Sequence, residues 1–380
     1  MAVPLFDTST PLAPLRKEIV ERMTAVVDGG RYILGPEVEA FEREFAEYLG
    51  VGHVVGVANG TDALTIALRA AGVGEADEVI VPSFTFYASA EAIPPTGATP
   101  VFCDVDENTG NVTPESVQAA ITSRTKAVIA VDLFGNPAPV QEIRDRTGLT
   151  VVEDAAQAAG AVANGRRAGS LGTVSTFSFF PSKNLGCFGD GGAIATDDEG
   201  IAESARMLRF HGSRDKVIFE EVGYNSRLDE LQAAALRVLL AHLDGWTAGR
   251  RAAARAYEEA GLGSLVATPT VNAGVEPAWH LYVVRHPDAD ELAGRLAEVG
   301  VQARGYYRTP VHRQPAMARW GAHVELPVTD ELARTNLAIP MSPVLSTEQV
   351  REVVEAIATA LAALRAAPAV SASGALPSRG

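Results

Sequence analysis

Apolar runs of strand length alternate with helical patterns along the first 200 residues of the chain. Residues 54–58 form one such run, and residues 63–71 then carry leucine and alanine at the spacing of a buried helix face, with Thr61 or Asp62 placed to cap it. Similar patterns predict strands at residues 78–82, 99–105, 126–134, 150–153, 174–179 and 193–196, and helices at residues 113–121 and 139–147. This alternation is typical of a mostly parallel sheet with helices on both faces.

The pattern changes beyond this region. Residues 228–260 are rich in alanine, leucine and arginine and predict a long helix with a break near Gly245 or Gly249. A smaller α+β unit is predicted after it, with strands at residues 280–284 and near 301–304 and helices at residues 288–299 and 347–364. We therefore expect a large domain with the N-terminal segment over residues 1–250, a small α+β domain over 251–365 and a disordered tail over 366–380.

Composition and charge narrow the class of protein. The chain has 380 residues, and its 32 basic and 47 acidic side chains give a net charge of −15, which disfavours binding to nucleic acid. Two cysteines are too few for a disulfide framework, and the histidines lack metal-ligand spacing, so we expect no metal site. We find no secretory signal and no apolar run of about 18 residues, and we expect a cytoplasmic protein without a membrane partner.

Two strand ends carry residues suited to chemistry. Lys183 lies in a loop of aromatic, hydroxyl and glycine residues directly after a predicted strand. A lysine in a dry pocket can lose its proton and attack a carbonyl, although a surface lysine in a turn explains this segment alone equally well. Asp154 ends another predicted strand, where a buried carboxylate needs a partner such as a protonated heterocyclic nitrogen. The local alternative for Asp154 is the N-cap of a following helix.

Two further features extend this set. At residues 59–62 a strand joins a helix, where backbone N–H groups, the helix dipole and the Thr61 hydroxyl can hold an anion, and Ser178 can add a second hydroxyl. An aromatic side chain among residues 84–87 can stack on a planar ring, although both features are common without a ligand. The reactive amine, the pyridinium partner, the anion cradle and the ring platform together match pyridoxal 5′-phosphate.

At these residues the chain resembles the DegT/DnrJ/EryC1/StrS sugar aminotransferases, and the resemblance extends from about residue 32 to residue 364. It implies the type I pyridoxal-phosphate transferase fold, in which Lys183 binds the cofactor covalently and moves the proton while Asp154 pairs with the pyridine nitrogen. The stretches that carry the resemblance are residues 33–38, 59–64, 153–157, 177–192 and 223–234. The further cofactor-binding positions that it implies are Gly60, Thr61, Phe86, Gln157, Ser178 and, from the neighbouring subunit, Asn225.

The resemblance also implies a substrate side and a homodimer, since Asn225 would reach the phosphate held by the partner subunit. The substrate-binding positions implied in this way are Tyr32, Arg227, Tyr307 and His312. Two departures from the family pattern are visible, and neither touches the cofactor positions. Residues 132 and 134 are Asp132 and Phe134 where many relatives have histidine and tyrosine, and Pro94 begins a proline pair that interrupts a helix.

The function implied is the transfer of an amino group from an amino acid, expected to be L-glutamate, to the C3 keto group of a nucleotide-linked deoxysugar, as in deoxyaminosugar or antibiotic biosynthesis. Two alternatives stay open: the same chemistry at C4 of a 4-keto-6-deoxy sugar nucleotide, and a regulatory protein that binds the cofactor without catalysis. Sugar dehydratases of this family carry histidine in place of the lysine, so Lys183 favours transamination. A nicotinamide-dependent oxidoreductase is disfavoured because no G-x-G-x-x-G follows the first strand.

Overall fold

A seven-stranded sheet forms the centre of this computed structural model, which describes residues 3–366. The described residues form twelve strands, seven of them in this sheet and five in two smaller sheets. They are β1 His53–Val57, β2 Glu78–Pro82, β3 Thr99–Cys103, β4 Thr125–Val131, β5 Thr150–Asp154, β6 Val162–Ala163, β7 Arg166–Arg167, β8 Val174–Ser178, β9 Gly192–Thr196, β10 Val275–Glu276, β11 Tyr282–Arg285 and β12 Asn336–Ile339. The central sheet has the order β1-β9-β8-β5-β4-β2-β3, and β9 alone runs against the other six strands. The mostly parallel sheet expected from the sequence is confirmed.

Helices cover both faces of this sheet. The α-helices of the described residues, including those that pack elsewhere, are α1 Arg16–Gly29, α2 Pro36–Leu49, α3 Gly60–Ala70, α4 Ala88–Glu91, α5 Pro114–Ala120, α6 Val140–Thr147, α7 Glu199–Leu208, α8 Glu230–Leu240, α9 Leu243–Glu259, α10 Ala289–Glu298, α11 Ala318–Gly321, α12 Pro327–Thr335 and α13 Thr347–Ala366. One apolar cluster lies on each face of the sheet, between the sheet and its helices. Strand β1 contributes to both clusters, because successive strand residues point to opposite faces. Val54 belongs to the cluster that contains Phe41 of α2, and Val55 belongs to the cluster that contains Leu64 of α3.

The turn between β1 and α3 differs from the expectation in one respect that matters for the site. The N-cap is Asn59, whose side-chain oxygen accepts a hydrogen bond from the Asp62 N–H at 2.8 Å, and not Thr61 or Asp62. An N-cap side chain bonds the amide three residues further on, so the helix begins earlier than its apolar pattern does. The first-turn amides at Gly60 and Thr61 therefore lie at a helix N-terminus, where no intrahelical acceptor exists for them.

The long helix expected at residues 228–260 is two helices that meet at residues 241–242, and the break expected near Gly245 or Gly249 was wrong. Helix α9 continues through both glycines. Gly249 serves close packing instead, because a Cβ atom there would overlap the carbonyl oxygen of Pro343. A glycine within a helical pattern can therefore indicate close packing against another segment as well as a break in the helix.

A third apolar cluster joins α9, α10 and α13 to the two-stranded sheet of β11 and β12. The strand expected near residues 301–304 is absent from this described region, since Val301 and Arg304 make only isolated bridges, to Val3 and Ala338. The division of the chain at residue 250 stays a prediction. Residue 366 ends α13, and the rest of the tail expected at 366–380 lies outside the described residues.

Candidate active site

The residues singled out from the sequence cluster where the strands of the central sheet end. Asp154 is the last residue of β5 and Ser178 the last of β8, and Gly60 lies three residues after β1. These strands run in the same direction, so their carboxyl ends meet at one edge of the sheet. Lys183 follows β8 at this edge, and Phe86 follows β2 there. The edge therefore brings together side chains that are far apart along the chain.

Lys183 is held by a tight loop after β8. Its backbone N–H donates to the Phe180 carbonyl at 2.8 Å, and the Cys187 N–H donates to the Phe179 carbonyl at 2.7 Å. Burial lowers the pKa of the Lys183 amine to about 8, against the charge of Asp154, which raises it. A substantial fraction of this amine is therefore uncharged near neutral pH and able to act as a nucleophile.

Asp154 is 4% exposed, and its carboxylate accepts two hydrogen bonds from within the chain. The Ser89 hydroxyl donates to Oδ2 at 2.8 Å, and the Ala156 N–H donates to Oδ1 at 3.2 Å. Burial raises the pKa of Asp154, while Ser89, Ala156 and the charge of Lys183 oppose the rise. The alternative of a helix N-cap at Asp154 was wrong, since residues 155–161 form turns.

A concave backbone surface lies between the start of α3 and the end of β8. A Cβ atom at Gly60 would lie 2.8 Å from Cβ of Ser178, so only glycine permits this close approach. The free amides of the first turn of α3 and the hydroxyls of Thr61 and Ser178 are all anion donors. The structure brings together the residues of the anion cradle expected at residues 59–62, and their binding of an anion stays a prediction.

Aromatic rings and an amide line the site beside Asp154. Gln157 Oε1 accepts the Phe134 N–H at 2.7 Å, and Gln157 Nε2 donates to the Tyr307 hydroxyl at 3.2 Å. The Tyr307 ring lies 5.8 Å from the ring of Phe86 and 6.4 Å from that of Phe134. Phe86 is 53% exposed, so one face of its ring is free to stack on a ligand.

The remaining expected positions are Tyr32, Asn225, Arg227 and His312. Tyr32 and Asn225 are exposed and Arg227 is partly buried, with its guanidinium 6.0 Å from the centre of the Phe210 ring. His312 is 1% exposed, and its Nδ1 lies 2.6 Å from the Ser83 hydroxyl. The imidazole is thus packed behind the surface and does not line an open site.

Two sets of contacts around the site were not predicted from the sequence. Ser89, which bonds Asp154, lies on the short helix α4, and no local motif marks it. Asn184 donates through Nδ2 to the Ala278 carbonyl at 2.9 Å, and its Oδ1 lies 3.3 Å from Nδ1 of His280. These bonds fix the lysine loop against the segment before β11. The adjacency of Asn184 to Lys183 was the one available signal.

Within residues 3–366, no helix is both long and apolar enough to cross a lipid bilayer. The same part of the chain contains no group of three or more histidine, cysteine, aspartate or glutamate side chains arranged to hold a metal ion.

Two known proteins are similar to this chain over nearly its whole length. A transaminase from Streptomyces venezuelae, named dTDP-3-amino-3,4,6-trideoxy-alpha-D-glucose transaminase, is 47% identical over 361 residues, which cover 93% of this chain and 95% of that protein. A protein from Geobacillus stearothermophilus named pleiotropic regulatory protein is 46% identical over 94% of this chain and 98% of its own length.

A solved structure supports the fold class and the family. The crystal structure of a DegT DnrJ EryC1 StrS aminotransferase from Brucella abortus superimposes with a TM-score of 0.90 at 39% identity, covering 94% of this chain and 98% of that one. The type I fold expected from the sequence is confirmed. The model of the DegT/DnrJ/EryC1/StrS aminotransferase family matches residues 14–358, which is nearly all of the described chain. The protein is therefore a member of the DegT/DnrJ/EryC1/StrS aminotransferase family.

Proposed function

We propose that this protein is a pyridoxal-phosphate-dependent aminotransferase that moves an amino group from L-glutamate to the C3 keto group of a nucleotide-linked deoxysugar. The observation that carries the proposal is Lys183, a partly buried amine with a lowered pKa beside the buried carboxylate of Asp154. The choice of C3 is supported by the S. venezuelae relative, whose name specifies a 3-amino sugar.

The donor set fits the cofactor group by group. Asp154 has Ser89 and Ala156 as donors, and a protonated ring nitrogen would supply the cationic partner that a buried carboxylate needs. Gly60, Thr61 and Ser178 would hold the phosphate at the start of α3. The remaining positions are Phe86, whose exposed ring face would stack on the cofactor ring, and Gln157, which would lie beside the ring hydroxyl.

The residues of this chain would then share the work of proton transfer. When bound, the cofactor supplies an aldehyde that bonds amines and a ring that accepts electrons. Lys183 Nζ, free of its proton, would be the group that holds the cofactor at its aldehyde carbon, with loss of water, and once released it would be placed to take the α proton of the donor. Asp154 holds the proton on the ring nitrogen, an electrostatic effect that is strong because the carboxylate is buried.

We further propose that a homodimer completes each site. Asn225 and Tyr32 are exposed, as expected of side chains that act across an interface. Phe180 and Phe188, on either side of Lys183 in the chain, are about half exposed, and a partner subunit would bury them. In this assembly Asn225 reaches the partner's phosphate, Arg227 the donor carboxylate and Tyr32 the sugar nucleotide.

On the substrate side of each site we place the Tyr307 hydroxyl, which lies within hydrogen-bonding distance of Gln157. His312, buried against Ser83, has no direct contact in this arrangement. The cytoplasmic location expected from the sequence stays a prediction.

One experiment separates this proposal from its two alternatives. The purified protein, supplied with pyridoxal phosphate and glutamate, is incubated with a panel of 3-keto and 4-keto nucleotide sugars, and the products are identified by mass and NMR. We expect 2-oxoglutarate and a 3-amino sugar, and none with Lys183→Ala. A 4-amino sugar would favour the C4 alternative. Binding of the cofactor without turnover of any sugar would favour a regulator, the alternative to which the G. stearothermophilus relative draws attention.

A further inference from the structure

Three carboxyl groups crowd the ends of two neighbouring strands. Asp132 directly follows β4, and Glu153 and Asp154 end β5, which pairs with β4 in parallel. Asp132 and Glu153 are each 0% exposed. Because side chains alternate along a strand, Asp154 faces the candidate site while Glu153 points to the opposite face of the sheet. The mechanism above uses Asp154 and leaves the other two unexplained.

Glu153 accepts four hydrogen bonds from the chain, three of them at Oε2. Its Oε1 accepts the Gly169 N–H at 2.6 Å, and its Oε2 accepts the N–H groups of Leu171 at 2.9 Å and Gly172 at 3.0 Å. The Ser175 hydroxyl adds a fourth bond at 2.8 Å. With four donors directed at it, Glu153 serves as the hydrogen-bond acceptor of the group.

Asp132 has the opposite environment. Its Oδ1 accepts the Ala138 N–H at 2.8 Å, but no N–H or O–H in the described chain is directed at its buried Oδ2. The side chain within hydrogen-bonding reach is that of Glu153, and burial together with the charges of Glu153 and Asp154 raises the pKa of Asp132 well above its ordinary value. Two buried carboxylates cannot share this contact unless one of them carries a proton.

We propose that Asp132 is a positioning residue whose Oδ2 carries a proton at neutral pH and donates it in a hydrogen bond to Glu153. This bond and the bond from Ala138 tie both ends of the loop at residues 132–138 to β5 and to each other. In this loop Phe134 has a left-handed backbone with φ of 59°, and its N–H donates to Gln157 Oε1.

The consequence for the site concerns the orientation of one amide. Because Phe134 fixes Gln157 Oε1, the Nε2 group is directed at the Tyr307 hydroxyl. The use of the Gln157 amide in holding the cofactor rests on the proposed function. The proton shared by Asp132 and Glu153 does not depend on that function. The family resemblance puts histidine at position 132 in many relatives, and a neutral imidazole N–H can donate to Glu153 in the same way.

Three variants test whether the hydrogen-bond donor at position 132 matters, as distinct from the volume of the side chain there. Asp132→Asn and Asp132→His keep a donor toward Glu153, and Asp132→Ala removes it. Infrared spectroscopy of the full-length protein should show the C=O stretch of a protonated carboxylic acid at neutral pH, and Asp132→Asn should abolish this band. Asp145→Asn, at an exposed position on α6, is the matched control and should leave the band unchanged.

Stability against pH gives a second readout that needs no cofactor. The titratable groups that face Asp132 are Glu153 and Asp154. The charge of Lys183 acts on Asp154. His280 lies on the segment that packs against the loop, and its ring is hydrogen-bonded to Asn184. Folding raises the pKa of Asp132, so the folded protein keeps a proton that the unfolded chain releases above about pH 4. The free energy of unfolding of the wild type should therefore fall, relative to that of Asp132→Asn, as the pH rises from about 4 towards the pKa of folded Asp132.

Binding of pyridoxal phosphate, followed by absorbance, tests the positioning role. Asp132→Asn and Asp132→His should bind it within about twofold of the wild type, and Asp132→Ala should bind it roughly tenfold more weakly, as expected for one lost hydrogen bond. An absent carboxylic acid band, or a stability difference between wild type and Asp132→Asn that is constant from pH 4 to 8, would overturn the shared proton. Unchanged binding by Asp132→Ala would overturn the positioning role. If Asp132→Ala does not fold, the comparison of the wild type with Asp132→Asn still decides whether Asp132 and Glu153 share a proton.

Discussion

The reactivity of Lys183 should reach half its maximum near pH 8, far below the range of an ordinary lysine. Burial lowers the pKa of its amine to about 8 from a usual value of about 10.5. At pH 7.5 the uncharged fraction then rises from about 0.1% to about a quarter, which is roughly a 200-fold gain in nucleophile. The sign follows from burial, which disfavours the charged ammonium more than the nearby Asp154 charge favours it.

The assay follows how fast the cofactor-free protein bonds pyridoxal phosphate between pH 6.5 and 10. Samples are quenched with borohydride at short times, and the fraction of Lys183 that carries the cofactor is read by mass spectrometry. The rate should rise with pH and level off above a midpoint near 8. Lys17→Ala, at a side chain that is 88% exposed, is the matched control and should leave the curve unchanged. A midpoint near 10.5 would refute the reasoning, because it would mean that Lys183 is solvated like any surface lysine.

Four further substitutions have expected outcomes. Replacing Asp154 with asparagine should lower kcat by at least about 100-fold, since a buried negative charge is lost, and steady-state kinetics measure this. Gly60→Ala places a Cβ 2.8 Å from Ser178 and should weaken cofactor binding in an absorbance titration while the fold is retained. Gly249→Ala forces a clash with a backbone carbonyl and should lower the midpoint of thermal unfolding, whereas Gly245→Ala on the same helix meets nothing and should raise stability by about 1 kcal/mol. Equal effects of the two glycine changes would contradict the packing described for α9.

The central sheet was largely predictable because its strands are short apolar runs buried on both sides. The predicted strand at residues 78–82 has the bounds of β2, and all its residues are buried. Helix α1 was not predicted, and it buries only Ile19 and Val26, too few for a clear stripe. Helix α2 also went unpredicted, although Val38, Phe41 and Phe45 mark its buried face.

The four-residue strand β12 is apolar enough to be buried but too short to be told from a turn or a helix end. Its identity comes from pairing with β11, which lies more than 50 residues earlier in the chain. Pairing of this kind is a tertiary property that local patterning does not record.

The site also contains residues that the sequence alone could identify and contacts that it could not. Lys183, Asp154 and Ser178 could be found because each stands at or just after the end of a strand, where ligands bind in parallel sheets. The contact of Ser89 with Asp154 could not, because 65 residues separate the two and no local pattern marks the serine. The bond from Gln157 to Tyr307 spans 150 residues and exists only once the chain has folded. The sequence therefore identified the reactive groups better than the groups that orient them.

The most direct measurement asks whether one lysine carries the cofactor. The wild-type protein is saturated with pyridoxal phosphate, reduced with borohydride, digested and mapped by mass spectrometry, with Lys183→Ala treated in parallel. We expect a single modified peptide that contains Lys183 and no comparable adduct in the variant. Equal labelling of the variant, or a wild-type protein whose Lys183 peptide stays unmodified, would contradict the assignment of this site.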